Sequence, residues 1–211
     1  MAEKEPIRLF ESDFLEAFSH VRPATILIIW VPVILFFGVF SFLTIPEGNS
    51  LFILLPLLLA GLFLWTFTEY TLHRFVFHYH AKTERGKRIS FLFHGVHHAE
   101  PMVKTRLVMP PAVSIPLGVI FFGLFYVVFG MIVGKLYLLF PMFTGFASGY
   151  LLYDIAHYSL HHFNLKSRYL KAIRKNHMRH HAVESHLRFG VTSNLWDVVF
   201  GTLPPIGYDK P

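Results

Sequence analysis

The chain has 211 residues, of which 54% are hydrophobic and 15% charged, with a formal net charge of +6 and no cysteine. A soluble domain carries about 25% charged residues, and a disordered chain needs low hydrophobicity with high charge, so the composition excludes both. It also excludes disulfides, thiolate metal sites and cysteine nucleophiles. In so apolar a chain the cationic surplus reads as a topological signal, with no nucleic-acid partner.

In chain order, residues 1–23 come first. Phe10, Phe14 and Phe18 recur every fourth position with Glu11, Asp13 and Glu16 between them. That spacing predicts a short amphipathic helix, lying either at the membrane interface or packed on the protein itself. The segment lacks the apolar core of a cleavable signal peptide. Four stretches then have the length and hydropathy to cross a bilayer, at about 24–45, 51–72, 112–133 and 136–156. Pro32 and Pro56 fall inside two of them. The connections at 47–50 and 134–135 are short, which predicts two helical hairpins. All but Lys135 of the 19 Lys and Arg residues fall before the first span, between the second and third, or after the fourth. The positive-inside rule therefore predicts that both termini and the central loop are cytoplasmic.

The histidines follow the same division. Apart from His20, all lie in the segments after the second and fourth spans. Four clusters stand out: HRFVFH from His73 to His78, HGVHH from His94 to His98, HYSLHH from His157 to His162 and HMRHH from His177 to His181. His94, His97 and His98 stand at i, i+3 and i+4, as do His177, His180 and His181, and His157 and His161 stand at i, i+4. Each set shares one helix face. His73 and His78 are five apart, about 140° around a regular helix. Either the helix is broken there or the two rings reach the site from different sides.

Neutral imidazole is the commonest metal ligand, and a four-coordinate zinc needs only four. The ten histidines His73, His78, His94, His97, His98, His157, His161, His177, His180 and His181 therefore predict two metals with about five imidazoles each. His80, His162 and His186 lie beside the clusters but off their repeats, and of these His162 is a candidate lining residue. Glu69, four before His73, and Asp154, three before His157, are placed to orient metal-bound rings from behind. Tyr150, Tyr153 and Tyr158 flank Asp154 as candidate lining residues. Arg106 is a candidate headgroup or carboxylate contact, or one more positive-inside charge. The closing Trp196, Val199 and Phe200 repeat predicts packing on the cytoplasmic cap.

The stretches WTFTEYTLHRFVFH (65–78), FHGVHHAEP (93–101), RLVMPP (106–111), GYLLYDIAHYSLHH (149–162), HMRHH (177–181) and SNLWDVVFGTL (193–203) together resemble the fatty acid hydroxylase superfamily of integral membrane di-iron proteins, most closely its fatty acid 2-hydroxylase branch. The resemblance implies an all-α integral membrane fold, with four transmembrane helices under a histidine-rich cytoplasmic cap (73–111 and 157–211) that holds a dimetal site. It further implies that the ten histidines bind two irons, and that one oxygen atom of O2 is inserted beside the carbonyl of a fatty acid or ceramide acyl chain. Tyr150, Tyr153 and Asp154 inherit a place near the active site.

Zinc lacks redox chemistry, so iron is the functional expectation. Zinc outranks ferrous iron in affinity and is expected to substitute in purified protein. The 23 residues ahead of the first span are too few for the cytochrome b5 domain of many eukaryotic relatives, so an external donor of cytochrome b5 or ferredoxin type, with its reductase, is expected. A carotenoid or sterol hydroxylase or desaturase of the same superfamily is the alternative enzyme. A histidine-rich metal transporter would need ligands near the bilayer midplane, where these spans carry neither histidine nor carboxylate.

Overall fold

The structure, a computed structural model, describes residues 6–46 and 50–205. Lys4, Lys210 and the 47–49 connection lie outside the described residues. Every regular element among the described residues is helical. Helix α1 (Asp13–Ser19) precedes α2 (Pro23–Thr44) and α3 (Ser50–Thr71), which continues as a π-helix at Leu72–Phe77. Helix α4 (Glu84–Ser90), a second π-segment (Phe91–Gly95) and α5 (Val96–Ala99) form the first half of the cap. Helix α6 (Pro111–Phe125) runs into a third π-segment, Tyr126–Ile132. Helix α7 (Leu139–His162) crosses back, and α8 (Arg168–Ala182) and α9 (Leu195–Val199) complete the cap.

Four helices have the length and composition to span a membrane, at Pro23–Thr44, Phe52–Phe77, Pro111–Ile132 and Leu136–His162. This is an integral membrane protein. Large apolar side chains along these helices stay exposed, among them Ile28, Phe36, Phe42, Phe52, Leu59, Val119 and Ile132. A soluble protein does not display such a belt. Two boundaries differ from those expected. The second helix runs past residue 72 to Phe77 because the π-turns carry it on. The fourth runs past Ala156 to His162 because Asp154, His157 and His161, polar and read as an exit from the bilayer, all face inward and are buried.

The helices also do not pair as two independent hairpins. Helix α7 packs along α3 and, less extensively, α2, whereas α2 and α3 barely touch. Phe143, Phe146, Ala147, Tyr150 and Tyr153 carry α7 into the core with Trp30 and Trp65. Two glycines allow this closeness. A Cβ on Gly145 would collide with the Leu58 carbonyl, and one on Gly61 with the Met142 carbonyl. Small residues at helix contacts permit such backbone approach in membranes, where helix association lacks a hydrophobic drive.

The closing segment bridges the cap and α3. Asp197 of α9 holds the cap amides of Phe189 and Gly190, while Trp196 and Phe200 of the repeat turn to α3. Trp196 packs on Phe63 and Phe67 and donates from Nε1 to Thr66 Oγ1 at 2.9 Å, while Val198, Val199 and Phe200 remain exposed.

Replacing Gly145 by Ala overpacks the α3–α7 contact and is expected to cost about 1–3 kcal/mol. It should lower the melting temperature in detergent. Gly123→Ala, where a Cβ meets nothing within 4 Å, should leave it unchanged or slightly raised.

Candidate metal centre

The ten clustered histidines come together where α3, α7 and α8 meet α5. They form two groups: His73, His78, His94, His98 and His180, and His97, His157, His161, His177 and His181. Within each group the nearest ligand atoms lie within 4.8 Å of one another.

The five-residue spacing of His73 and His78 is resolved by the π-helix. Its i→i+5 bonding places the His78 N–H on the His73 carbonyl at 3.1 Å, and both rings enter the same group. The turn is widened, not broken. A second π-segment sets the phase of the HGVHH cluster, so that His94 and His98 serve one group while His97 serves the other.

Within the groups the rings meet through Nε2. His73 to His94 is 3.0 Å, His98 to His94 3.1 Å and His180 to His78 2.9 Å. In the second group His157 to His97 is 2.9 Å, His161 to His177 2.9 Å and His181 to His177 3.1 Å. In the first group two rings are fixed from behind. His73 Nδ1 donates to the Phe189 carbonyl at 2.5 Å and His180 Nδ1 to the Leu187 carbonyl at 2.6 Å. A carbonyl only accepts, so in the neutral rings the lone pairs of these Nε2 atoms point into the cluster.

Neutral rings so placed cannot satisfy one another by hydrogen bonds alone. A cation is what the donor set fits: metal–nitrogen bonds of about 2.1 Å at right angles put neighbouring nitrogens about 3.0 Å apart. The electrostatics agree. Burial, helped by His180 and His98, pushes His78 down to about 3. Burial with His180 and His161 does the same to His98, also to about 3. Burial pushes His180 down to about 4 against the Leu187 carbonyl. His94, His97 and His177 are held well below the ordinary imidazole range, first by burial and then by neighbouring imidazoles.

The two expected orienting carboxylates do not touch the rings. Glu69 accepts from Val191 N at 2.7 Å, Thr192 N at 2.8 Å and Thr192 Oγ1 at 2.6 Å. It thereby ties down the loop whose Phe189 carbonyl holds His73. Asp154 accepts from Met109 N at 3.0 Å and Tyr150 Oη at 3.0 Å. It fixes the segment whose Leu107 carbonyl serves His157. Each carboxylate acts one step behind the carbonyl, because its oxygens are taken up by N–H and O–H donors of the neighbouring segment.

Sequence reasoning missed the centre of this support. Asp197, fully buried, accepts from Phe189 N and Gly190 N, both at 2.8 Å, and from Thr202 Oγ1 at 2.7 Å. Between the two ring-holding carbonyls, Arg188 takes the left-handed φ of 61°. Its guanidinium is pinned to Glu184 at 2.5 Å and to Asn176 at 2.8 Å. The one available signal was the aspartate inside SNLWDVVFGTL.

Of the lining candidates, Tyr153 stacks on His157 and, with Asp154, lines a cavity of about 470 Å³ that His94, His97 and His157 also line. Tyr150 is buried against Trp30 and Trp65 and does not line that cavity. Tyr158 packs on His162, which belongs to neither group. His80 and His186 are exposed outside the groups. Arg106 lines the cavity, but its charge is matched internally by Glu16 at 2.7 Å and Glu100 at 2.9 Å.

The depressed imidazoles give metal-free protein a pH signature. Below the ordinary value of about 6.5 the unfolded chain binds more protons than the folded one, so stability rises with pH between about 3 and 6.5. The melting temperature of metal-free protein should fall steadily from pH 7 to pH 5. A flat profile would contradict the buried neutral cluster.

Comparison with known proteins places this site. The fatty acid hydroxylase family model matches residues 58–202, which include all four histidine clusters. The chain is 38% identical to the dihydroceramide fatty acyl 2-hydroxylase FAH1 of Arabidopsis thaliana, over 97% of this chain and 83% of that protein. It is 35% identical to human fatty acid 2-hydroxylase, over 98% of this chain and 58% of that longer protein. The solved structure of full-length scs7p, in which only the hydroxylase domain is visible, superposes with a TM-score of 0.82 at 35% identity. The match covers 92% of this chain and 70% of that one. With its four spans, its histidine clusters and this match across most of its length, the chain belongs to the fatty acid hydroxylase family.

Proposed function

We propose that this protein is a membrane monooxygenase that hydroxylates lipid acyl chains at the carbon beside the carbonyl. In this reading two irons are held by the ten histidines on the cytoplasmic side. The observation that carries it is the cavity. Three of the candidate ligands, His94, His97 and His157, line a mainly apolar chamber. The chamber lies where Pro110, Ala112 and Val113 begin the third span, at the level where a bilayer lipid can offer its acyl chain. Its size is that of a small-molecule site. The names of the plant and human relatives, a dihydroceramide fatty acyl 2-hydroxylase and a fatty acid 2-hydroxylase, support the reaction and its position.

Bound iron supplies the redox chemistry by which O2 breaks an unactivated C–H bond. The chain's own residues do the rest. The apolar walls Phe77, Val96, Leu107, Val108 and Met109 exclude water and hold the chain extended. The Phe189 and Leu187 carbonyls hold His73 and His180 with Nε2 turned inward. Because Glu16 and Glu100 already neutralise Arg106, the cavity suits an uncharged amide-linked acyl group. Electrons come from a separate carrier of cytochrome b5 or ferredoxin type with its reductase. The lysines and arginines gathered at the cap end support a cytoplasmic site.

Metal analysis tests the ligand set. Wild-type protein should hold about two metal ions, and His78→Ala and His97→Ala about one each. His186→Ala, remote from both groups, should keep two. A wild type with none would defeat the two-metal reading.

Lipid mass spectrometry tests the reaction. Cells expressing the chain with a compatible donor should accumulate 2-hydroxy acyl lipids, and His157→Ala should not. Asp197→Ala, which frees the Phe189 segment, should lower product about 10–100-fold, as loss of outer support does at other metal sites. Product hydroxylated at another carbon would refute the proposed position.

A further inference from the structure

The N-terminal segment is attached to the molecule in an unusual way. Helix α1 buries no residue. Phe14 is 71% and Phe18 58% exposed, yet both line the cavity, with Leu9, Phe10 and Leu15 beside them. They share its lining with His94, His97 and His157.

What holds the segment is polar. Glu16 reaches three ways, through Oε1 to Arg106 Nη2 at 2.7 Å and through Oε2 to Leu9 N at 2.8 Å and Phe10 N at 2.9 Å. Ile7 N donates to Glu100 Oε1 at 2.8 Å, while Glu100 Oε2 accepts from Arg106 Nη1 at 2.9 Å. His20 closes the cluster, bonded to Thr105 Oγ1 at 2.6 Å and facing Arg106 at 3.0 Å. The Arg106 side chain is 1% exposed, so its charge depends on both carboxylates. An apolar wall is thus fastened by one buried cation. The fastening is directional where an apolar docking would be free to slide.

We propose that residues 9–19 are the substrate-selecting wall of the acyl cavity, and that Glu16 is the positioning residue that fixes this wall through Arg106. This rests on the reading of the cavity as the acyl site and adds the element that admits the lipid. The acyl chain enters between α1 and the start of α6. Phe14, Leu15 and Phe18 meet its distal part, and Glu16 sets how far they stand from the histidines. Glu16→Gln keeps an oxygen for the Leu9 and Phe10 amides but removes the charge from Arg106. Glu16→Asp keeps the charge on a shorter arm.

Two measurements on metal-loaded, full-length protein in lipid nanodiscs test this. The first is hydrogen exchange of residues 7–20 with and without a long-chain N-acyl sphinganine, which needs no turnover. The lipid should slow exchange there in wild type. Glu16→Gln should speed basal exchange and abolish the slowing, and Glu16→Asp should restore part of it. The second is kinetics. Glu16→Gln should raise KM about tenfold while kcat changes little, the pattern of lost binding that is not specific to the transition state. Phe14→Ala and Phe18→Ala should shift preference between long and very long acyl chains.

Unchanged exchange in Glu16→Gln overturns the proposal. So does a fall in kcat and melting temperature with KM and chain preference intact, because that is a merely structural role. If wild type protects residues 7–20 with the lipid, and Glu16→Gln does not, while no lipid is turned over, the wall stands and the assigned reaction fails.

Discussion

The structure depends on bringing ten imidazoles into contact without letting them charge. Six Nε2–Nε2 separations of 2.9–3.1 Å are tolerable only for neutral rings, and burial keeps them neutral. The arrangement must be imposed from outside, since unaided the rings would rotate away. The loop 187–192 imposes much of it. Its Leu187 and Phe189 carbonyls hold two rings, and Arg188 adopts a left-handed backbone between them. Glu69, Asp197 and Glu184 hold that loop from a span, from α9 and from the end of α8. Such a backbone persists only where its surroundings over-determine it, and three buried carboxylates do so here.

The four spans and the cap were legible because their signals are one-dimensional. Hydropathy over twenty residues and charge asymmetry between loops need no tertiary contact to be read. The two five-membered groups were half legible. Counting gave two metals' worth of imidazole, and i, i+3, i+4 spacing grouped the rings by face. Face-sharing does not decide membership, however. His97 and His98 are neighbours on α5 yet serve different groups, and so do His180 and His181 on α8. The seam between the groups passes through the HGVHH and HMRHH clusters, and only the packing of α5 against α7 and α8 fixes where.

Other features were hidden for a different reason. The π-turns at Leu72–Phe77 change the phase of the helix by one residue without any proline or glycine to announce them. The five-residue gap between His73 and His78 was their trace, a periodicity fault that a straight helix could not absorb. Helix α7 misled in the opposite way. Its inward polar residues lowered its hydropathy and shortened the apparent span, though the helix itself continues to His162. Depth in the bilayer and burial in protein are different things, and hydropathy measures their sum.

The placement of the carboxylates one step behind the carbonyls has an electrostatic logic. A carboxylate bonded directly to a ring N–H draws its proton and gives the ring imidazolate character. A carbonyl orients the ring and leaves it neutral. Two divalent cations held by ten neutral imidazoles would keep their full positive charge, in a setting where burial of charge is costly. When ionised, Glu69, Asp154 and Asp197, all buried, supply negative potential around the site. Their backbone N–H partners keep them in place. The scaffold therefore separates two tasks that a direct carboxylate–histidine pair combines: carbonyls set ring geometry, and carboxylates set the field. Replacing one of these carboxylates disturbs both, because the same N–H bonds that fix the charge also fix the carbonyl.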